Sequence, residues 1–175
     1  MDPDDIASRT TSALLASYAG ILTELRRRKV VRSGNAPAGD YAELLVATAL
    51  GGVLVDNSVK GHDVVLPDDT TVQVKARLVT AQPLSGQLQT SAIRSWSFGK
   101  LALVQLFADD YSVLRGVLLP QAAAKALSTH RAYVNSDVLM MTAAVLDHSE
   151  AEDITESLKA AAAEVGAKTG STTGL

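Results

Sequence analysis

An α/β fold in a single domain is what this sequence predicts, on three observations. Stretches with helical apolar spacing alternate with short β-branched runs, one of those runs alternates polar and apolar residues strictly, and Gly/Pro/Asp clusters punctuate them. With 175 residues, 47% of them hydrophobic, the chain is long enough to bury one core and too short for two.

Residues 6–29 place Ile6, Leu14, Leu15, Tyr18, Ile21, Leu22 and Leu25 along one helical face, which predicts one long N-terminal helix. It ends in Arg26-Arg27-Arg28-Lys29, where cations suit the negative pole of the helix dipole; contact with phosphate is the other reading of that run. After a breaker cluster at 33–39, Asp40 stands as the N-cap of a second helix to about Leu50, closed by Gly51-Gly52. Short strands are expected at 53–55 and 64–66, and Pro67-Asp68-Asp69-Thr70 is a turn by composition. In the next strand, 71–77, Thr71, Gln73, Lys75 and Arg77 share one face and Val72, Val74 and Ala76 the other. Residues 80–99 are polar and irregular, with a short helical turn expected near 91–96. A hairpin follows, its strands at 101–107 and 111–119 around Ala108-Asp109-Asp110, and Pro120 opens a helix to about Leu127. Residues 138–145 are apolar and fit strand or helix equally. Composition makes 150–165 a helix stopped by Gly166, with a Gly/Ser/Thr tail at 166–175 expected to be disordered. The chain thus divides into an N-terminal helical extension (1–33), a core (34–146) and an acidic C-terminal helix with its tail (147–175).

There is no cysteine, so neither a disulfide framework nor a thiolate zinc site can form. The acidic start, Met1-Asp2-Pro3-Asp4-Asp5, lacks the basic and apolar regions of a secretory signal, and no run approaches the ~20 apolar residues of a membrane span. A cytoplasmic protein with no membrane partner is the expectation. Although the net charge is −3, residues 6–146 carry 14 Lys and Arg against 10 Asp and Glu, while 1–5 and 147–175 carry 2 against 9. A mildly basic body between acidic ends is compatible with a nucleic-acid partner without requiring one.

Glu43 on the second helix, Asp63 at the head of the 64–66 strand and Gln73-Val74-Lys75 on the alternating strand follow one another through a helix, a strand and a hairpin. The segment from Gly39-Asp40-Tyr41-Ala42-Glu43 through Gly61-His62-Asp63-Val64-Val65 to Gln73-Val74-Lys75 resembles the signature of the PD-(D/E)xK nuclease superfamily, over positions 39–77. Arg94-Ser95-Trp96 and the 101–119 hairpin further resemble an uncharacterised bacterial branch with a Q-x-K variant of the motif. The resemblance implies a restriction-endonuclease-like core, a mixed central sheet flanked by helices, here preceded by an N-terminal helix. It also implies Mg²⁺, for which Mn²⁺ substitutes, held at a sheet edge by Asp63, Glu43 and Gln73, with Glu43, Asp63, Gln73 and Lys75 as the catalytic set. Two positions depart from the pattern: His62 stands where proline is usual, and Gln73 replaces a carboxylate by an amide.

The chemistry suits those residue types. Phosphodiester cleavage needs a hard cation on oxygen ligands, a nucleophilic water and positive charge near the phosphate. Asp63 is then the central ligand, Glu43 a second one directly or through water, and Gln73 a neutral oxygen donor. Lys75 orients the attacking water or stabilises the developing charge. Gln73 and Lys75 point together because residues two apart share a strand face. Asp63 joins them only if the hairpin loop holds an odd number of residues, which the three residues Pro67–Asp69 satisfy.

Taken singly, each residue has a plainer meaning: Glu43 on a solvated helix, and Gln73, Lys75 and Arg77 on a half-exposed strand. Lys60, Arg77 and Arg94 are candidate nucleic-acid contacts, although surface charge is the commoner role of a lone cation. Trp96 and Phe98 suit base stacking or, with so few aromatics, the core. His62 neighbours Asp63 and could act as a base, but the three histidines show no zinc spacing. Neither G-x-S-x-G nor a phosphate-binding P-loop is present. The expected function is an Mg²⁺-dependent endonuclease acting on DNA rather than RNA, in restriction, phage defence or repair, with a homodimer allowed. The alternative is a non-catalytic nucleic-acid-binding or protein-interaction module on the same fold.

Overall fold

A computed structural model describes residues 6, 8–32, 36–56 and 61–167. The predicted 166–175 tail lies outside these residues from position 168 onward. The first long helix, α1 (Thr11–Arg27), is shorter than the 6–29 span that the apolar spacing suggests. It stops where Lys29 adopts a left-handed φ of 59°, with Val30 N–H bonding to Leu25 O and Lys29 N–H to Arg26 O. That pair of bonds satisfies the orphan carbonyls of the last turn as a glycine-type C-cap would. Helix α2 (Ala38–Ala49) begins two residues ahead of Asp40, which lies inside the first turn rather than capping it. Its carboxylate instead accepts the backbone N–H of Arg32 at 2.7 Å, tying the preceding loop to the helix. Gly51, at φ 64°, ends α2, and a Cβ on Gly52 would lie 2.7 Å from Val64 Cγ1, so the chain crosses there only as glycine.

The remaining elements are β1 (Val53–Leu54), β2 (Val64–Val65), β3 (Thr71–Val79), α3 (Ser85–Leu88), β4 (Lys100–Phe107), β5 (Val113–Pro120), α4 (Gln121–Leu127), β6 (Thr129–Arg131), β7 (Ser136–Val138), α5 (Ala143–Leu146), β8 (Glu152–Asp153) and α6 (Thr155–Ala167). Six strands form a mixed sheet in the order β1-β2-β3-β4-β5-β8, antiparallel throughout except for the parallel pair β3–β4. Helices flank it, so the α/β architecture with a mixed central sheet is as the sequence predicts. The 67–69 turn pairs Val64 with Val72 and Val65 with Thr71 and so brings the start of β2 beside the 72–74 stretch of β3.

Strand β4 is buried on both faces, which explains its mainly apolar sequence; its buried Gln105 donates to the Met141 carbonyl at 3.0 Å. Ala102, Val104 and Leu106 join α2 and α6 in one core, with Leu45, Val46, Val72, Val74 and Leu158. Leu101 and Leu103 join α4 and α5 in the other, with Phe98, Leu119, Leu139 and Met141. Against α6 the fit is close: a Cβ on Gly116 would lie 2.1 Å from Leu158 Cδ1.

Three local expectations are corrected. The helical turn expected near 91–96 falls at α3, and residues 89–93 run extended because Gln89 and Ile93 bridge Met140 and Asp137. The ambiguous 138–145 segment ends β7 and begins α5. The last helix starts at Thr155 instead of 150, since Glu152 and Asp153 pair with Leu118 and Val117 and extend the sheet. Hairpin β6–β7 had no distinct sequence signal. No helix among the described residues is long and apolar enough to cross a membrane.

Candidate active site

The four motif residues come together at the β2–β3 end of the sheet, under α2. Asp63 enters just before β2, where the ladder slips: its N–H bonds to Val72 O, one residue off the register that pairs Val64 with Val72. Both of its side-chain bonds fall on Oδ2, which accepts Val74 N–H at 2.7 Å and the amide Nε2 of Gln73. Gln73 and Lys75 share a face of β3, as alternation requires. Half a turn of the Gln73 amide exchanges its N–H for an oxygen on the same side. Glu43 reaches the group from α2, between the buried Ala42 and Leu45.

The approach to Asp63 is built by a glycine. Gly61 has φ 106°, and a Cβ there would sit 2.3 Å from Ser97 Oγ. The loop that delivers Asp63 therefore lies directly against the 95–97 segment of the β3–β4 crossover.

Burial and mutual repulsion set the electrostatics. Glu43 is pushed up to about 7, chiefly by burial and then by the Asp63 charge, against the opposing pull of Arg32. Asp63 is also raised, by burial first, while the Val74 N–H, Lys75, Gln73 and Arg32 hold it down. Burial lowers Lys75, which Asp63 and Glu43 counteract, and Arg94 adds a further small lowering. Glu43 feels Asp63, Asp63 feels Lys75, and Lys75 feels both carboxylates, so the three are electrostatically linked.

Arg32 is the member that sequence reasoning missed. Its guanidinium donates Nη2 to Glu43 Oε2 and Nη1 to the carbonyl of Val55, while Nε is buried with no hydrogen-bond partner in the described structure. Both ends of the ion pair are largely covered, with side-chain exposures of 24% for Arg32 and 17% for Glu43. The sequence offered only an arginine after a basic run, eleven residues ahead of its partner across a breaker loop, and no periodicity links such a pair.

Among the candidate nucleic-acid contacts, Arg94 is exposed and near enough to Lys75 to affect its charge. Arg77 is committed elsewhere, donating to the carbonyls of Gln87 at 3.2 Å and Gly86 at 3.1 Å and so pinning α3 to β3. Lys60 lies outside the described residues. In the 26–29 run, Arg27 and Arg28 pair with Glu24 at 2.7 and 2.8 Å, a local use of charge at a helix end. Trp96 and Phe98 serve packing: the indole N–H donates to Asp137 Oδ2 at 2.7 Å, the rings are 5.4 Å apart, and Phe98 is buried. His130 bonds to the same aspartate on the β6–β7 hairpin, and His62 is half-buried beside Asp63.

No group of three or more histidine, aspartate or glutamate side chains that could hold a metal occurs among the described residues. The oxygen donors are the Asp63 and Glu43 carboxylates with the Gln73 amide, a small hard set that suits a cation keeping several of its own waters. The chain matches no protein-family model and no curated protein sequence.

Proposed function

We propose that the chain is an Mg²⁺-dependent endonuclease of the restriction-endonuclease-like class, cleaving phosphodiester bonds in DNA, with Mn²⁺ able to replace Mg²⁺. The observation that carries this reading is the meeting of Glu43, Asp63, Gln73 and Lys75 from one helix and two strands, with both carboxyl groups raised by burial and Glu43 raised further by the Asp63 charge. A divalent cation would relieve the repulsion that Asp63 exerts on Glu43, which supports the reading. Asp63, Glu43 and the Gln73 amide oxygen would hold it. When bound, such an ion supplies positive charge at the phosphate and lowers the cost of deprotonating water. Lys75 contributes an ammonium beside the carboxylates, placed to orient the attacking water or to offset charge growing on the phosphate.

Two cations stand at the site besides Lys75: Arg32 on Glu43, and the exposed Arg94 near Lys75, which supports a polyanionic substrate. Restriction, phage defence or repair in the cytoplasm is the setting this reading implies. Cutting two strands takes two sites, and a homodimer through α1, where Tyr18 and Ile21 are 49% and 48% exposed, belongs to the same proposal. The test is cleavage of plasmid DNA, and of RNA in parallel, by purified protein with Mg²⁺ or Mn²⁺. Asp63→Ala and Lys75→Ala should abolish cutting; identical behaviour of wild type and both variants would refute the reading.

A second reading, a non-catalytic nucleic-acid-binding module, is favoured by one feature. Gln73 donates to Asp63 and Arg32 to Glu43, so the carboxylates have hydrogen-bond partners within the protein. Salt-dependent DNA binding without any divalent-metal binding by calorimetry would select it.

A further inference from the structure

We infer that Arg32 is a resident counter-cation which occupies Glu43 in the metal-free protein and competes with the divalent ion for it. The inference rests on the metal-site reading above and adds a regulatory residue to it. Arg32 is anchored from three sides: its backbone N–H on Asp40, one guanidinium nitrogen on the Val55 carbonyl, and another on Glu43. The first two anchors do not involve the site, so the arginine keeps its place in the fold when the third is broken. The third puts a fixed positive charge on Glu43 Oε2, on a carboxylate that the proposed ion would also use.

Arg32 on Glu43 and a divalent ion drawn to the same carboxylate repel one another. Metal entry therefore competes with Nη2 for the charge of Glu43, and binding is tightest once Nη2 moves away. Room for this exists: a surface depression of about 480 Å³ lined by Arg32, Leu54, Val55 and Asp56 lies against the guanidinium on the side of the Val55 anchor. The consequence is a site whose carboxylate repulsion is partly offset by Arg32 without an ion and which binds a divalent ion more weakly than the donors alone would allow. A purely structural arginine predicts the opposite response to mutation, because losing it would let Glu43 drift and weaken the site.

The experiment is Mn²⁺ titration of the full chain by calorimetry, with thermal unfolding in chelator and in saturating Mn²⁺, for wild type, Arg32→Met and Arg32→Lys. Arg32→Met should bind Mn²⁺ about tenfold more tightly, the factor set by one charge-assisted hydrogen bond. It should also melt lower than wild type in chelator and gain more from Mn²⁺. Arg32→Lys, which keeps a charge but loses the fork that reaches both Glu43 and Val55, should fall between them and supplies the answer if Arg32→Met does not fold. Equal or weaker Mn²⁺ binding by the variants, with wild type binding normally, overturns the inference and leaves the metal-site reading standing. No Mn²⁺ binding by wild type or either variant overturns both.

Discussion

Glu43→Gln isolates the electrostatics of the site in one measurement of stability against pH. The folded protein raises Glu43 from an ordinary 4.5 to about 7, so it retains a proton there that the unfolded chain has released. Below about pH 4.5 both states are protonated and the contribution to stability is fully present. As pH rises through the folded value near 7, the folded protein must ionise a buried carboxyl facing Asp63, and that contribution is lost. The interval from 4.5 to about 7 corresponds to at most about 3 kcal/mol. Because the pH 5–8 window covers only part of that interval and 17% of the side chain stays exposed, about 1–2 kcal/mol is the expected loss. Glutamine removes the titration and keeps the shape. Urea unfolding in chelator at the two pH values should therefore show wild type losing about 1–2 kcal/mol more than Glu43→Gln, equivalent to a few degrees in Tm for a chain of this size. Asp63 is raised in the same direction and titrates in both proteins, so the difference measures Glu43 together with its coupling to Asp63. Parallel pH responses would refute the claim that Glu43 is buried against a like charge.

Gly61→Ala should lower stability by about 2–3 kcal/mol, from the left-handed φ of 106° and the 2.3 Å approach to Ser97 Oγ, and should depress any metal-dependent cleavage by displacing Asp63. Adding Ser97→Gly should recover the contact share of that loss in thermal melts; an unaffected Gly61→Ala protein would show that the loop is not held as described. Arg94→Ala should weaken DNA binding and reduce its salt slope by about 1, whereas Arg77→Ala should leave the slope unchanged and lower Tm, because Arg77 is spent on the Gly86 and Gln87 carbonyls. Fluorescence anisotropy at several salt concentrations separates the two, and a reversed order would overturn the assignment of both arginines.

The parts of the fold that were legible in advance are those whose cause is local. Strand β3 announced itself through strict alternation, hairpin β4–β5 through two apolar runs around Ala108-Asp109-Asp110, and the β2–β3 register through a three-residue turn. That register sufficed to bring Asp63 within reach of Gln73, because a short turn leaves the flanking strands only one set of partners that buries Val64 and Val72 together. The limits of α1 were misjudged because apolar spacing continues through a segment whose ends are set by a left-handed Lys29 and by hydrogen bonds outside the pattern.

What the sequence by itself determined was therefore the class of the fold, the polar face of β3 and the identity of the four motif residues, each readable within a window of a few turns or strands. Tertiary structure alone decided the rest. It brought residues 89–93 against 137–140, added Glu152 and Asp153 to the sheet, and laid the guanidinium of Arg32 on Glu43. These contacts join positions far apart in the chain or separated by a breaker loop. They are selected by the burial and hydrogen-bond needs of whichever surfaces meet once the core has formed, and no local propensity encodes them. The charge state of the site belongs to this second group: the same carboxylates would be ordinary in water, and only their burial beside one another raises them.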